Sequence, residues 1–221
     1  MTKQRALMVY RVGFALLALA AIVVQLLDLS GKGTLDPLNY FSYFTIQTNL
    51  IGIAVLLLAA SGRWDGSHKL DLARGAATTY LAITLVVFAI LLSGTDVDTA
   101  IPWVDTVLHK IFPIAIMLDW LLDPPLGRIT ARQAIAWLTY PILWLVYSLI
   151  RGGLTGRYPY PFLDPANGGY GKVAITCVAI FVFGSIVIAV VAWVGNRLSE
   201  RGRDNPIPAI EHDPIARIGR E

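Results

Sequence analysis

Six stretches of the chain, at about residues 6–28, 38–60, 71–93, 102–122, 132–151 and 172–196, are apolar for long enough to cross a lipid bilayer as helices. A hydrocarbon core of about 30 Å takes roughly 20 helical residues. Within it no water reaches the backbone, so each segment must satisfy its own N–H and C=O groups, and unbroken apolar runs of this length do so as helices. Composition agrees: the 221 residues are 56% hydrophobic and 15% charged, with a mean hydropathy of +0.62, values that exclude a soluble domain. The net charge of +3 calls for no acidic partner, and no basic stripe with interleaved aromatics offers itself to nucleic acid. Cys177 is the sole cysteine and lies inside an apolar run, which leaves neither an internal disulfide nor a cysteine metal site. The predicted fold is all-α, an integral membrane bundle of six transmembrane helices within residues 1–197. Residues 198–221, with the polar, proline-containing DNPIPAIEHDP, are expected to form a disordered cytoplasmic tail.

Lysine and arginine set the orientation, because they accumulate in cytoplasmic loops. One side holds Lys3 and Arg5, then Arg63, Lys69 and Arg74, then Arg128 and Arg132, and finally Arg197, Arg201, Arg203, Arg217 and Arg220. The other holds only Lys32, Arg151, Arg157 and Lys172. Both termini are therefore expected in the cytoplasm of a multi-pass cell-membrane protein. The first run follows Lys3 and Arg5 as a signal peptide would, yet it exceeds an h-region in length and carries Arg11, so it is expected to stay as a span.

Ionisable groups inside spans are costly, and by default they mark a site or an internal pair. The fourth run, IPWVDTVLHKIFPIAIMLDWLL, holds Asp105, His109, Lys110 and Asp119. Asp105 and His109 are four residues apart and share a helix face, so the carboxylate can orient the imidazole. Pro113 cannot donate to the carbonyl of His109 and is expected to kink the helix there. The second run opens with FSYFTIQTN, which places Thr45, Gln47, Thr48 and Asn49 close together. Both runs enter from the outer side, and Thr45 and His109 each lie about seven residues in, or roughly 10 Å deep. They are level, and adjacent helices would bring them together. Thr48 and Asn49 also suit plain helix-to-helix bonding. Asp119, near the cytoplasmic end, is expected to pair with Arg11 or Arg74 as a structural staple. Trp137, Tyr140, Trp144 and Tyr147 form one stripe on the fifth run, ending at Arg151, and the loop RYPYPFLDPANGGYGK follows as a stiff cover.

FSYFTIQTN resembles the aromatic-x-Tyr-x-Thr segment of the androgen-induced gene protein family of six-span membrane proteins, and LHKIFPIAIMLDW resembles its His-x-x-x-Pro motif. With RYPYPFLD, the chain looks closer still to six-span bacterial relatives of that family. The resemblance implies a membrane hydrolase of fatty-acid esters of hydroxy fatty acids, with Thr45 as nucleophile and His109 as its partner. Lys110 stands where those relatives carry a small polar residue.

On that reading, His109 takes the proton of Thr45 and returns it to the leaving alcohol. Asp105 holds the imidazole, as the third member of a triad does. Asn49, one turn from Thr45, is the side-chain candidate for stabilising an oxyanion. Lys110, Arg151, Tyr147 and Tyr160 are the candidates for substrate binding. The expected partner is a membrane lipid or fatty-acid ester, with no cofactor and no metal: His68 and His212 fall on cytoplasmic segments. Nothing in the pattern specifies an oligomeric state. Two rival readings remain open here, a proton-coupled transporter of small solutes built on Asp105, His109 and Lys110, and a non-catalytic lipid-binding protein.

Overall fold

The computed structural model describes residues 2–92 and 101–204, and among these the chain is helical, with no strand. Helix α1 (Lys3–Gly31) leads through a short α2 (Pro37–Tyr40) to α3 (Phe44–Ala60) and α4 (His68–Val87), which runs on as a π-turn over Phe88–Leu92. Helix α5 (Pro102–Thr106), a π-turn at Val107–Ile111 and α6 (Phe112–Leu122) form one continuous rod. Then come α7 (Ala131–Ala136), α8 (Thr139–Thr155) and α9 (Gly169–Asp204). Four helical stretches are long and apolar enough to cross a membrane: Lys3–Gly31, His68–Leu92, Ala131–Thr155 and Gly169–Arg201. The second predicted run starts later than its hydropathy suggests, because Asp36 caps α2 by accepting from the Asn39 N–H at 3.1 Å and the chain turns before Phe44. That leaves α3 as a 17-residue apolar helix. At the other end of the chain, the expected disordered tail begins as helix, since α9 continues to Asp204; residues 205–221, including Arg217, Arg220 and His212, lie outside the described residues.

Local signals explain the boundaries. Thr130 and Gln133 make a reciprocal capping box at the start of α7, with Gln133 N–H donating to Thr130 Oγ1 at 3.3 Å and Thr130 N–H to Gln133 Oε1 at 2.9 Å. Helix α8 stops at Gly156, whose φ of +69° suits glycine and whose N–H returns to Gly152 O at 2.8 Å.

The core has two parts. Small residues of α1 (Ala15, Ala18, Ala21) let α3 and the α5–α6 rod approach closely around Leu56, Leu108 and Phe112. The second part is aromatic, with Phe44, Tyr80, Trp120, Trp137 and Tyr160 filling the space among α3, α4, α6, α8 and α9. At the cytoplasmic end predicted from charge, Asp119 holds both of the arginines considered for it. Arg11 Nε donates to Asp119 Oδ1 at 2.6 Å, and Arg74 Nη2 to Asp119 Oδ2 at 2.9 Å. Asp123 also pairs with Arg11 and lies 3.5 Å from Arg74, while Asp71 lies 3.5 Å from Arg74 on its other side. This network joins α1, α4 and α6 at one point.

Candidate functional site

The π-turn at Val107–Ile111 is where the sequence forces an irregularity, and the site is built around it. Phe112 N–H donates to Val107 O, five residues back, so the next bond in that register would run from Pro113 to Leu108 O. Proline has no N–H to give. The missing donor is supplied from α3: Asn49 Nδ2 donates to Leu108 O at 3.2 Å and to Thr45 O at 2.7 Å. Leu108 O, which the proline leaves without a backbone donor in this register, is met by Asn49, and the irregularity takes the form of a widened turn. Asn49 is fully buried with both amide donors spent on backbone, which makes it a clamp between α3 and the π-turn; its Oδ1 has no partner.

The widened turn aims His109 into the bundle. Its Nδ1 lies 2.8 Å from Asp105 Oδ1 and 3.2 Å from Asp105 O. Both partners are acceptors, so Nδ1 carries a proton, and in the neutral ring Nε2 is the nitrogen with the lone pair. Phe88, from the π-turn that ends α4, stacks on the imidazole with ring centroids 4.0 Å apart and planes 14° apart. Nothing in the sequence pattern pointed to Phe88. Lys110 is exposed, with Nζ 6.0 Å from the centre of the same Phe88 ring.

Thr45 is buried in the first turn of α3, where its N–H has no intrahelical acceptor. Tyr160, brought over from the loop between α8 and α9, meets it: Thr45 N–H donates to the Tyr160 hydroxyl at 3.1 Å, and the two hydroxyl oxygens are also 3.1 Å apart. Either hydroxyl can donate in the second contact, and when Tyr160 is the donor the threonine proton is left for another acceptor. Burial pushes the Tyr160 phenol up to about 12, against the lowering effect of its bonds to Thr45, so it stays a donor at neutral pH. Thr45 Oγ1 bonds Tyr160 and not His109. Thr48 Oγ1 instead contacts Thr84 Oγ1 at 3.3 Å and donates to Thr45 O at 3.2 Å, a link between helices.

Two cavities meet at this pair. A polar one, about 620 Å³ counting the part open to the outside, is lined by Thr45, His109 and Tyr160 together with Gln25, Asp36 and Asn39. An apolar one, about 840 Å³ on the same measure, runs among α4, α8 and α9 and is also lined by Thr45 and Tyr160. Thr45 and Tyr160 thus form the wall between them.

The other sequence candidates fall outside this centre. Tyr147 is 41% exposed and lines neither cavity, whereas Tyr140 and Trp144 of the same stripe turn inward, donating to Gln47 Oε1 at 2.8 Å and Ser42 O at 2.9 Å. Arg151 is buried: its Nη1 donates to Ser42 Oγ at 3.1 Å and its Nη2 to Asn39 Oδ1 at 3.2 Å. Among the described residues it has no carboxylate partner, and its Nε is unbonded. No group of three His, Cys, Asp or Glu side chains converges among the described residues. No family model matches the chain, and neither a curated protein nor a solved structure matches it. Its class rests on the fold: among the described residues it is all-helical, with four helices long and apolar enough to cross a membrane.

Proposed function

We propose that the protein is a six-span intramembrane hydrolase of lipid esters in the cell membrane, with Thr45 as nucleophile and His109 as general base. In this reading α3 and the α5–α6 rod are the second and fourth spans, both termini are cytoplasmic, and the site lies toward the outer leaflet. The observation that carries the reading is the shared wall: the same threonine borders a polar cavity containing an Asp-oriented imidazole and an apolar cavity suited to hydrocarbon.

The chemistry follows from those groups. His109 Nε2 removes the Thr45 hydroxyl proton as Oγ1 bonds to the ester carbonyl carbon. Negative charge gathers on the carbonyl oxygen, and the hydroxyl of Tyr160 is the nearest side-chain donor, in place of Asn49, whose donors are spent. Collapse breaks the C–O bond to the alcohol, which leaves with the proton from His109. Water, deprotonated by the same nitrogen, then releases the acid from Thr45. The resemblance to the androgen-induced gene protein family supports fatty-acid esters of hydroxy fatty acids as substrates. The non-catalytic alternative keeps one observation in its favour, the bond of Thr45 Oγ1 to Tyr160 and not to His109.

The test uses protein in lipid nanodiscs and a fluorophosphonate probe for activated hydroxyls, with ester hydrolysis followed in parallel. Labelling and turnover are expected in wild type and Thr48→Ala, and neither in Thr45→Ala or His109→Ala. A folded wild type that neither labels nor cleaves would leave lipid binding as the better reading.

A further inference from the structure

We infer that the apolar cavity among α4, α8 and α9 is the seat of one acyl chain, admitted sideways from the bilayer between α8 and α9. Assigning that chain to the acyl half of a substrate ester rests on the hydrolase reading; its occupancy by a lipid chain does not.

The argument begins with the walls. Ile83 and Val87 of α4, Ile142 and Leu145 of α8, and Ile180 and Phe181 of α9 face the cavity. Its other hydroxyl, on Thr84, is engaged with Tyr80 O at 3.0 Å and with Thr48. Hydrogen-bonding capacity is therefore confined to the Thr45–Tyr160 end, and water elsewhere in the cavity would lack the polar partners it needs. The shape is elongated: the lining along α9 runs from Cys177 to Gly184, about 10 Å at 1.5 Å per residue. Gly184 lets α9 lie against α4 here, since a Cβ on it would come within 3.2 Å of Ile83 Cδ1.

The mouth is set by exposure. Ile142 and Phe181 line the cavity and are also 42% and 49% exposed, so the opening lies between α8 and α9. Both belong to stretches fit to cross a membrane, of which only 17% is buried in the protein. What stands outside that opening is lipid. A lipid tail is as apolar as the leucine and isoleucine it would touch, so moving a chain from bilayer to cavity gains little by hydrophobicity. Selection must come from the polar end, where the ester group meets Thr45 and Tyr160, and from the length of the cavity.

The test uses a palmitoyl ester of a hydroxy fatty acid carrying a diazirine at the far end of its acyl chain, in nanodiscs, beside a phosphatidylcholine bearing the same group. Irradiation of wild type should label the Ile142–Leu145 and Ile180–Gly184 segments with the ester and not with the phospholipid. The ester should also slow alkylation of Cys177, the only cysteine, about tenfold when present at about ten times its Kd, by mass action. Leu145→Trp and Ile180→Trp narrow the cavity; with thermal denaturation matching wild type, they should abolish labelling and shift hydrolysis from palmitoyl toward acetyl esters. Labelling elsewhere, or equal labelling by phosphatidylcholine, would overturn the inference and leave only annular lipid. If wild type is labelled as expected but turns nothing over, the cavity assignment stands and the hydrolase reading fails. If turnover occurs while both tryptophan variants keep the wild-type chain preference, the reverse holds.

Discussion

Asp119→Ala tests the charge network most directly. Asp119 is 2% exposed and accepts from Arg11 Nε at 2.6 Å, Arg74 Nε at 3.1 Å and Arg74 Nη2 at 2.9 Å. Removing one partner of a buried ion pair costs about 3–5 kcal/mol, because the other charge is left in a low dielectric. Here two arginines are abandoned at once, but Asp123 and Asp71 still face them, so the lower end, about 3 kcal/mol, is expected. Against a total stability of about 5–15 kcal/mol that is a large loss. Thermal denaturation in nanodiscs, followed by tryptophan fluorescence, reads it well, because Trp120 lies under Arg74 at 5.8 Å. Asp119→Ala melting with wild type, or His109→Ala losing as much as Asp119→Ala, would refute the division between staple and site.

Asp105→Asn should keep the fold and lower kcat by about 10²–10⁴, the range of general acid–base catalysis, because the imidazole loses the acceptor that fixes its tautomer. Asn49→Leu should cost about 1 kcal/mol in stability, chiefly through Leu108 O left without a donor, since Thr45 O keeps Thr48 Oγ1. Tyr160→Phe should lower kcat by about 10²–10³ through loss of an oxyanion donor. The same phenol gives a pH signature: its pKa in the fold, about 12, lies above the value of about 10 for an unfolded tyrosine. Its contribution to stability is therefore complete below about pH 10 and lost as pH rises toward 12, and an alkaline melting series should be flatter in Tyr160→Phe than in wild type.

What the chain discloses on its own is periodicity and depth. These were enough to place Asp105 beside His109, to bring Thr45 and His109 to one cavity, and to name Arg11, Arg74 and Asp119 together. Each rests on spacing along a helix or on counting from a membrane face. The contact between Thr45 and Tyr160 joins residues 115 apart through a loop with no repeating pattern, so only the tertiary arrangement could supply it. The same holds for Phe88 on His109. At Pro113 the lost hydrogen bond was legible but its consequence was not, since a missing N–H is compatible with a kink or with a π-turn. What favours the π-turn is a donor on another helix, Asn49.

Arg151, a substrate-binding candidate from the sequence, has surroundings that the sequence did not reveal. It ends an aromatic stripe, is 9% exposed and, among the described residues, is bonded only to neutral groups. A buried guanidinium without an acid is a net cost unless something anionic reaches it, and a planar fork is well suited to a carboxylate. Asn39, which accepts from Arg151 Nη2, also lines the polar cavity beside His109. A substrate carboxylate in that cavity would therefore lie one side chain away from an uncompensated charge. The expected result for Arg151→Met is unchanged or slightly raised thermal stability, together with a KM that rises for esters bearing a free carboxylate and stays level for their methyl esters. A drop in stability on the scale of Asp119→Ala, with equal effects on both substrates, would show instead that Arg151 serves only to tie α8 to the segment before α3.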